Sequence, residues 1–434
     1  MKHVYSLWNL TWKLVLFFAI ATPQVQAEQA ADDPNELASM AAESNRAVFS
    51  LQRHIESLRH KTDASVTWAD PVFAVEYSNV PWNSWSLDDS PMSGVQFKVT
   101  QKITLPGKNL RRMQEVQAQT QVSVWELEEK KNQLRAMVKK AYWKLALVRQ
   151  LRKINERHIV LVEQFLAVVR VKYQVGKVGQ HDLLSLQVLK KRLKDDLGDF
   201  DERQKQLTAA INSAMHRKVS VPITTPDTFE ALRMNYTTSE LVQLAIEYRP
   251  LLKQTKARAK WQRMAARKVE YERWPDITVW AGYRARMSAG ADPGTDFFSL
   301  GVSVPLPFDY TAKADAQEAQ YLSSAAEADD TYQAILDQIK GQVESSLATW
   351  QRAFEKARRY KTEIIPEADR TLKANLAAYQ SDRADFASLY RAELELLNFE
   401  RASKIAHAST HVEKSSLEAV VGAPATLEKR EATP

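Results

Sequence analysis

The chain has 434 residues, of which 44% are hydrophobic and 26% charged, and its formal net charge is +7 at pH 7. The absence of cysteine excludes disulfides, thiolate metal sites and a lipid-modified N-terminal cysteine. Only 11 glycines occur, fewer than the turns of a globular enzyme of this size need, so the composition favours long helices. Charges of both signs alternate along the chain, which indicates solvated helix faces and argues against a nucleic-acid partner.

The N-terminus has the pattern of a secretory signal peptide. Lys2 and Lys13 precede the apolar run Leu14–Thr22, and Val25–Ala27 offers small residues for cleavage. The run is too short to span a bilayer, and an uncleaved membrane anchor is the alternative interpretation. We therefore predict a signal peptide at 1–27, whose removal lowers the net charge to +5 because it carries two lysines and no acids. Export without cysteine is typical of a bacterial envelope.

The rest of the sequence contains one structural unit twice. Tyr173 and Gln174 match Tyr379 and Gln380, 206 positions later. The segments 99–106 and 300–307 match in the same order at an offset of 201. A period this long is not that of a solenoid repeat. We predict a first repeat at 28–220 and a second at 221–412, each with a short helix, two strands and a long helical hairpin, then a disordered tail at 413–434.

Two long helical hairpins dominate the predicted structure. No glycine or proline occurs in the 68 residues from Lys108 to Val175, a length of roughly 100 Å as a helix. Apolar residues there are spaced alternately four and three apart, as in a coiled coil, and His158 lies within that seam. We interpret His158 as a packed core residue, because no acidic or histidine partner accompanies it in the sequence. In the second unit, Gly341 and Pro366 are candidate kinks.

Four segments alternate apolar and polar residues as strands do. They are the segments 73–77, 95–105, 277–283 and 298–306. About ten tilted residues is the length of a transmembrane β-strand, whereas a soluble sandwich is the alternative. Because most of the chain is helical and only four strands occur, we favour the membrane. We then expect a polar face toward a lumen, carried by Glu76, Lys98, Lys102 and Arg284.

Four strands cannot close a barrel, and an open edge in lipid leaves backbone groups unpaired. Three copies would supply twelve strands and a channel. The segments Pro81–Gly94 and Ser288–Thr295 would be its loops. The predicted fold is α+β, mainly α: a homotrimeric twelve-stranded β-barrel, four strands per chain, continued by an α-helical coiled-coil barrel.

With these features the chain resembles the TolC outer-membrane factor family across nearly all of its mature length. The sequence motifs that carry this resemblance are Tyr173-Gln-Val-Gly-Lys-Val178, the following Asp182-Leu-Leu, Leu105-Pro-Gly-Lys108 and Tyr248-Arg-Pro250. The resemblance implies a trimer whose barrel lies in the outer membrane and whose helical part lies in the periplasm. It also implies a periplasmic adaptor protein and an inner-membrane pump as partners, or a role in type I secretion.

One stretch is similar to the heavy-metal efflux branch of that family. It comprises Asn79-Val-Pro, Ser90-Pro-Met-Ser and the segment from Gln101 to Lys108. No residues in the sequence form a metal site, and the nine methionines are not clustered. The substrate class, heavy-metal cations or drugs, stays open at this point.

The resemblance assigns roles to the two tight turns inside the hairpins. The implied adaptor-docking residues are Tyr173, Val175, Gly176, Lys177, Val178, Gly179, Tyr379, Ser381, Asp382 and Arg383. The implied aperture gate comprises Asp182, Asp382, Asp385, Ser388 and Arg391. Family members usually have glycine at both turns, whereas the second turn here has Asp382 and Asp385. The usual acidic positions beyond that turn are occupied by Ser388 and Arg391, so we expect the two aspartates to replace them.

Two other classes of protein compete with this interpretation. A periplasmic coiled-coil adaptor would normally have one hairpin flanked by glycine-rich β-domains, and the duplication argues against it. An exported enzyme would need a catalytic motif, and the sequence has no G-x-S-x-G, no H-E-x-x-H and no phosphate-binding glycine loop. We predict a passive, non-enzymatic outer-membrane channel without a cofactor, with outer-membrane lipid around its strands.

Overall fold

The computed structural model describes residues 31–306 and 310–422. The predicted signal peptide and positions 423–434 of the predicted tail lie outside the described residues. The first unit contains α1 (Pro34–Ser44), α2 (Arg46–Ser65), β1 (Val72–Ser78), β2 (Gly94–Ile103), α3 (Lys108–Gln174) and α4 (Gln180–Ala214). The second unit contains α5 (Thr238–Tyr248), α6 (Pro250–Glu272), β3 (Ile277–Arg286), β4 (Phe297–Ser303), α7 (Tyr310–Arg359), a π-helical turn (Tyr360–Ile364), α8 (Ile365–Gln380) and α9 (Phe386–Val421).

Each unit opens with two helices, so the prediction of one short helix is wrong. In the first unit, Asn45 is extended between α1 and α2, and its side-chain oxygen accepts from the backbone N–H of Ala47. In the second unit, Arg249 is extended because Pro250 follows it and disfavours the helical conformation. Thr237 and Glu240 form a reciprocal capping box at the start of α5. These local signals divide the helical segment that precedes the strands of each unit into two helices.

Short helices stack end to end on the long hairpins. The Asn45 amide donates to the carbonyl of Ala214 at 2.8 Å, which places the start of α2 on the end of α4. The end of α9 meets the start of α6 at Gly422, whose φ is +78°. A Cβ on Gly422 would lie 2.8 Å from Arg249 Cα, so this junction requires glycine. These helices thereby form a wall of four columns, in the order α4–α2, α3, α9–α6 and α8–α7, while α1 packs against α3 and α5 packs against α7 and α9.

The last helix is longer than the sequence pattern predicts. We expected disorder from 413, and this is wrong for 413–421, because α9 continues to Val421. Leu417 and Val421 are buried against α5 and α7. Lys139 and Glu418, both buried, form an ion pair of 2.8 Å between α3 and α9. Because the apolar residues recur at helical spacing among small and charged ones, they bury one face of the helix.

Of the two predicted kinks, one coincides with an irregularity. Gly341 lies inside the continuous helix α7. A π-helical turn, Tyr360–Ile364, separates α7 from α8 immediately before Pro366. Proline has no N–H to donate and its ring crowds the preceding turn, so a wider turn relieves the clash there. The predicted seam of α3 packs between the hairpins, where Ile154 and Phe165 are buried together with Leu193 of α4.

The four strands form one antiparallel sheet in the order β1-β2-β3-β4. The two hairpins, one from each unit, pair through β2 and β3, from Gly94 opposite Arg286 to Ile103 opposite Ile277. β1 and β4 are its edges. No described helix meets the length and hydropathy that a membrane-spanning helix needs.

Candidate functional site

One face of the sheet is apolar across all four strands. The strand register puts Phe73, Val99, Ala281 and Leu300 in one cross-strand row. The next row contains Val75, Phe97, Tyr283 and Phe298. Seven of these eight side chains are exposed, Leu300 by 72% and Phe73 by 64%, and Ala281 is half-buried. The predicted alternation is therefore present, and it gives the sheet an exposed apolar face.

The opposite face carries the polar residues predicted to line a lumen. Glu76, Gln96 and Arg284 share one row, and the Arg284 guanidinium donates to the Gln96 side-chain oxygen at 2.7 Å. The ammonium of Lys98 lies 4.6 Å from the centre of the Trp280 ring. Lys102 forms an ion pair of 3.1 Å with Asp276, just before β3. The sheet thus brings all four predicted residues to one face.

Arg286 ties the two loops at the far end of the sheet together. Its guanidinium donates to the Pro91 carbonyl in the first loop, and to Asp292 at 2.9 Å and the Thr295 carbonyl at 2.7 Å in the second. It also lies 4.4 Å from the centre of the Phe297 ring. The loop cross-link made by Arg286 depends on contacts between the two loops, and no local sequence pattern predicts it.

The two tight turns adopt the same backbone conformation at matched positions. Gly176 has φ +71° and its counterpart Asp382 has φ +59°. This left-handed region is natural for glycine and unusual for other residues, although Asp and Asn tolerate it best. Gly179 and its counterpart Asp385 are extended, with φ −81° and −85°, and neither position requires glycine. Of Gly176 and Gly179, only Gly176 has a backbone conformation that favours glycine. Asp382 occupies the equivalent position in the second turn.

Asp382 is held by two lysines of the first hairpin. Its carboxylate accepts from Lys172 and, at 2.5 Å, from Lys177. The Lys172 ammonium also lies 4.4 Å from the centre of the Tyr379 ring. Hydrogen bonds from Lys172 and Lys177 lower the pKa of Asp382 from 3.8 to about 2. A charged clamp thus links the two turns, and Lys172 is a member that the sequence analysis missed.

The other predicted gate residues have separate contacts. Asp385 caps α9 by accepting from the Ser388 backbone N–H at 2.9 Å, and this bonding to Ser388 lowers its pKa. Asp182 is buried at the start of α4 and lies 3.0 Å from His181 Nε2. Of the implied docking residues, Arg383 donates to the Ser381 hydroxyl at 3.1 Å. Within one chain, the acidic side chains of Asp182, Asp382 and Asp385 therefore all have hydrogen-bond or ion-pair partners.

A buried cluster that the sequence analysis missed lies between α3 and α9. His158 is fully buried, and Nδ1 lies 2.5 Å from Glu393 Oε1 while Nε2 lies 2.9 Å from Glu400 Oε2. The interpretation that no acid accompanies His158 is wrong, because its partners are more than 230 positions away. Glu400 also pairs with Arg157. Among the described residues, no group of three or more His, Asp or Glu side chains is arranged so that it could hold a metal ion.

No protein-family model and no curated protein sequence matches this chain. Solved structures do match it. The outer membrane protein VceC of Vibrio cholerae superposes with a TM-score of 0.72 at 15% identity, covering 90% of this chain and 96% of that one. The outer membrane channel CmeC of Campylobacter jejuni gives 0.73 at 14% identity, covering 92% and 89%. CusC, whose structures describe transmembrane channel formation, gives 0.71 at 14% identity, covering 91% and 93%.

The chain therefore has the fold of outer-membrane channel proteins: a helical wall joined to a small antiparallel sheet. This confirms the TolC-type fold that the duplicated units and their ordered motifs predict. At these identities the likeness establishes the fold, and the function has to be argued from the surfaces described above.

Proposed function

We propose that this protein is a TolC-family channel of the outer membrane, the passive exit duct of a tripartite efflux system. Three copies close a twelve-stranded barrel, and their helical columns continue it into the periplasm. The turns at Val175–Gly179 and Ser381–Asp385 form the periplasmic end, where an adaptor protein docks and connects the duct to an inner-membrane pump. The duct binds and releases its cargo without chemistry, so no catalytic residue is assigned.

The observation that carries the proposal is the two-faced sheet. An exposed apolar face of this extent is costly in water and favourable against lipid, at about 25 cal/mol for each Å² buried. The polar face, with Lys98 and Arg284, then has to meet water. Because β1 and β4 are open edges, the sheet can lie in lipid only if further copies pair with them.

Opposite charges on the two lateral edges of the helical wall support a closed ring of copies of this chain. Besides Arg59 and Asp63, which lie on the side of α3 and α6, the outer column α2 carries Arg46, Arg53 and Lys61 against Glu56. The outer column on the other side begins with the segment 313–344 of α7, which has seven acidic residues and two lysines. Glu327 and Asp330 are exposed there. A basic edge on one copy complements an acidic edge on the next, which is the head-to-tail contact that closes rings.

Isolation of the protein from outer-membrane fractions would test the proposal. We expect chemical cross-linking and native mass measurement to give a trimer, and the trimer to form discrete conducting channels in planar bilayers. A folded monomer inserted in membranes would contradict the barrel, since its two sheet edges would be unpaired. A trimer in the outer membrane that does not copurify with any adaptor would contradict the tripartite assignment alone.

A further inference from the structure

A groove lined by three helices lies just beyond the sheet. It has a volume of about 880 Å³ and is bordered by α2, α3 and α6. The lining side chains of α3 fall between Arg111 and Gln121. At 1.5 Å per residue, these positions lie within roughly 20 Å of the start of α3 at Lys108. This volume is within the range of small-ligand pockets.

The lining of the groove is strongly basic. Arg59, Arg111, Lys260 and Arg267 contribute positive charge, and Asp63 is the one acidic side chain among the lining residues. None of the four cations forms an ion pair within the part of the chain that the structure describes. The nearby carboxylate of Glu115 is already engaged, at 3.2 Å by the Trp261 indole N–H and at 3.5 Å by Lys268. The groove therefore has an excess of cations that its own acids do not neutralise.

Arg111 is held in a fixed orientation in this groove. Its guanidinium lies 4.5 Å from the centre of the Tyr271 ring, and one Nη donates to the Tyr271 hydroxyl at 2.9 Å. The other Nη donates to the Gln114 side chain, also at 2.9 Å. The Nε atom is buried and has no hydrogen-bond partner. Each Nη has two N–H groups and donates one of them, to Gln114 or to Tyr271, so each has one N–H left for an acceptor in the groove.

We propose that this groove binds a phosphate-bearing anion, with Arg111 as its central ligand. A planar guanidinium presents paired donors that match the oxygens of a phosphate, and three further cations favour a multiply charged group over a single carboxylate. The source of the phosphate is either a soluble molecule or the headgroup of a lipid, because the groove lies close to the sheet. The inference is independent of what the channel transports.

Binding to the full-length protein purified in detergent would test this site. Pyrophosphate is the soluble probe, titrated by calorimetry at low salt; nanodiscs containing phosphatidylglycerol, compared with phosphatidylcholine alone, are the lipid probe. We expect saturable binding of at least one probe that weakens as salt is raised. Arg111→Gln should weaken it about tenfold or more, since a charge-assisted hydrogen bond is lost. Competition between the probes would show that both occupy the same site.

Arg112→Gln is the matched control. Arg112 is the next residue on α3 and pairs with Glu272 at 3.2 Å, so the substitution removes the same charge without changing the groove lining. We expect this variant to bind within about twofold of the unchanged protein, because Arg112 does not line the groove. Equal binding by the two variants, or no saturable binding of either probe to the unchanged protein, would overturn the proposal. Circular dichroism and size-exclusion profiles would confirm that both variants fold.

Discussion

Nδ1 of His158 lies 2.5 Å from Oε1 of Glu393, and both side chains are buried between α3 and α9. The second ring nitrogen faces Glu400 at 2.9 Å. A neutral imidazole has one N–H donor, whereas here both nitrogens face carboxylate oxygens. Both ring nitrogens of His158 are therefore occupied by contacts with side chains of α9. The other oxygen of Glu393, Oε2, has no hydrogen-bond partner. The contact of Oε1 with His158 is therefore the main interaction that offsets the cost of burying this carboxyl group.

Replacing His158 by Leu should destabilise the helical wall strongly. The substitution leaves the Glu393 carboxylate buried without a partner, and breaking a buried pair in this way costs about 3–5 kcal/mol. We expect a lower midpoint of thermal unfolding, followed by circular dichroism. His158→Leu combined with Glu393→Leu should recover much of the loss, because the uncompensated charge is removed with its partner.

Glu395→Gln is the matched control for that experiment. Glu395 lies two positions along α9 and is exposed, so the midpoint should move little. If His158→Leu unfolds at the same temperature as the unchanged protein, the cluster makes no contribution to stability.

The His158 cluster also marks the boundary of what sequence alone can predict. The seam itself was predictable, since its 4-3 spacing requires only neighbouring residues. The partners were not, because Glu393 belongs to α9 and only the packing of two hairpins brings it near. The duplication and the alternation of the strands were predictable, because both are patterns in the order and spacing of residues along the chain. The Lys172–Asp382 clamp and the groove around Arg111 depend on contacts between elements, so the sequence contained no local signal for them.

The clamp between the turns should be insensitive to moderate acidification. The pKa of Asp382 is lowered from 3.8 to about 2 by Lys172 and Lys177, so the carboxylate stays charged well below neutral pH. A lowered pKa means that the stabilisation is complete above about pH 4 and is lost as pH falls toward 2. Distances between spin labels placed on the two turns should therefore be equal at pH 7 and pH 5. A separation that increases over that range would show that another group controls the turns.

Asp382→Asn should loosen the same clamp at neutral pH. Asparagine tolerates the φ of +59°, so this substitution removes the charge without adding backbone strain. We expect the two turns to separate in the spin-label experiment and the single-channel conductance to rise. Asp385→Asn is the comparison: it keeps a side-chain oxygen that can cap α9 and should leave the distance unchanged. Equal behaviour of the two variants would place the constriction elsewhere.

Gly176→Trp should test the turn as a docking surface. A Cβ on Gly176 would meet no atom within 4 Å, so a large side chain can extend into solvent. The remaining cost is the positive φ, about 1–2 kcal/mol for an L-residue, which leaves the long hairpins folded. We expect a trimer in the membrane that no longer binds its adaptor and no longer exports substrate. Gly176→Asn, which tolerates the same φ, should retain both, and export by the Trp variant would exclude docking at this turn.

The two faces of β2 provide the sharpest test of membrane insertion, because adjacent residues should respond in opposite ways. Val99 lies between Phe73 and Ala281 on the apolar face, and Thr100 lies between Val72 and Trp280 on the polar face. Lysine facing lipid at the bilayer midplane costs about 2–4 kcal/mol, whereas lysine facing a water-filled lumen costs little. Val99→Lys should therefore reduce the amount of heat-modifiable trimer in the outer-membrane fraction, and Thr100→Lys should not. The polar face already carries Lys98, and Lys98→Ser should assemble normally as well. If Val99→Lys and Thr100→Lys assemble equally well, the apolar face does not meet lipid.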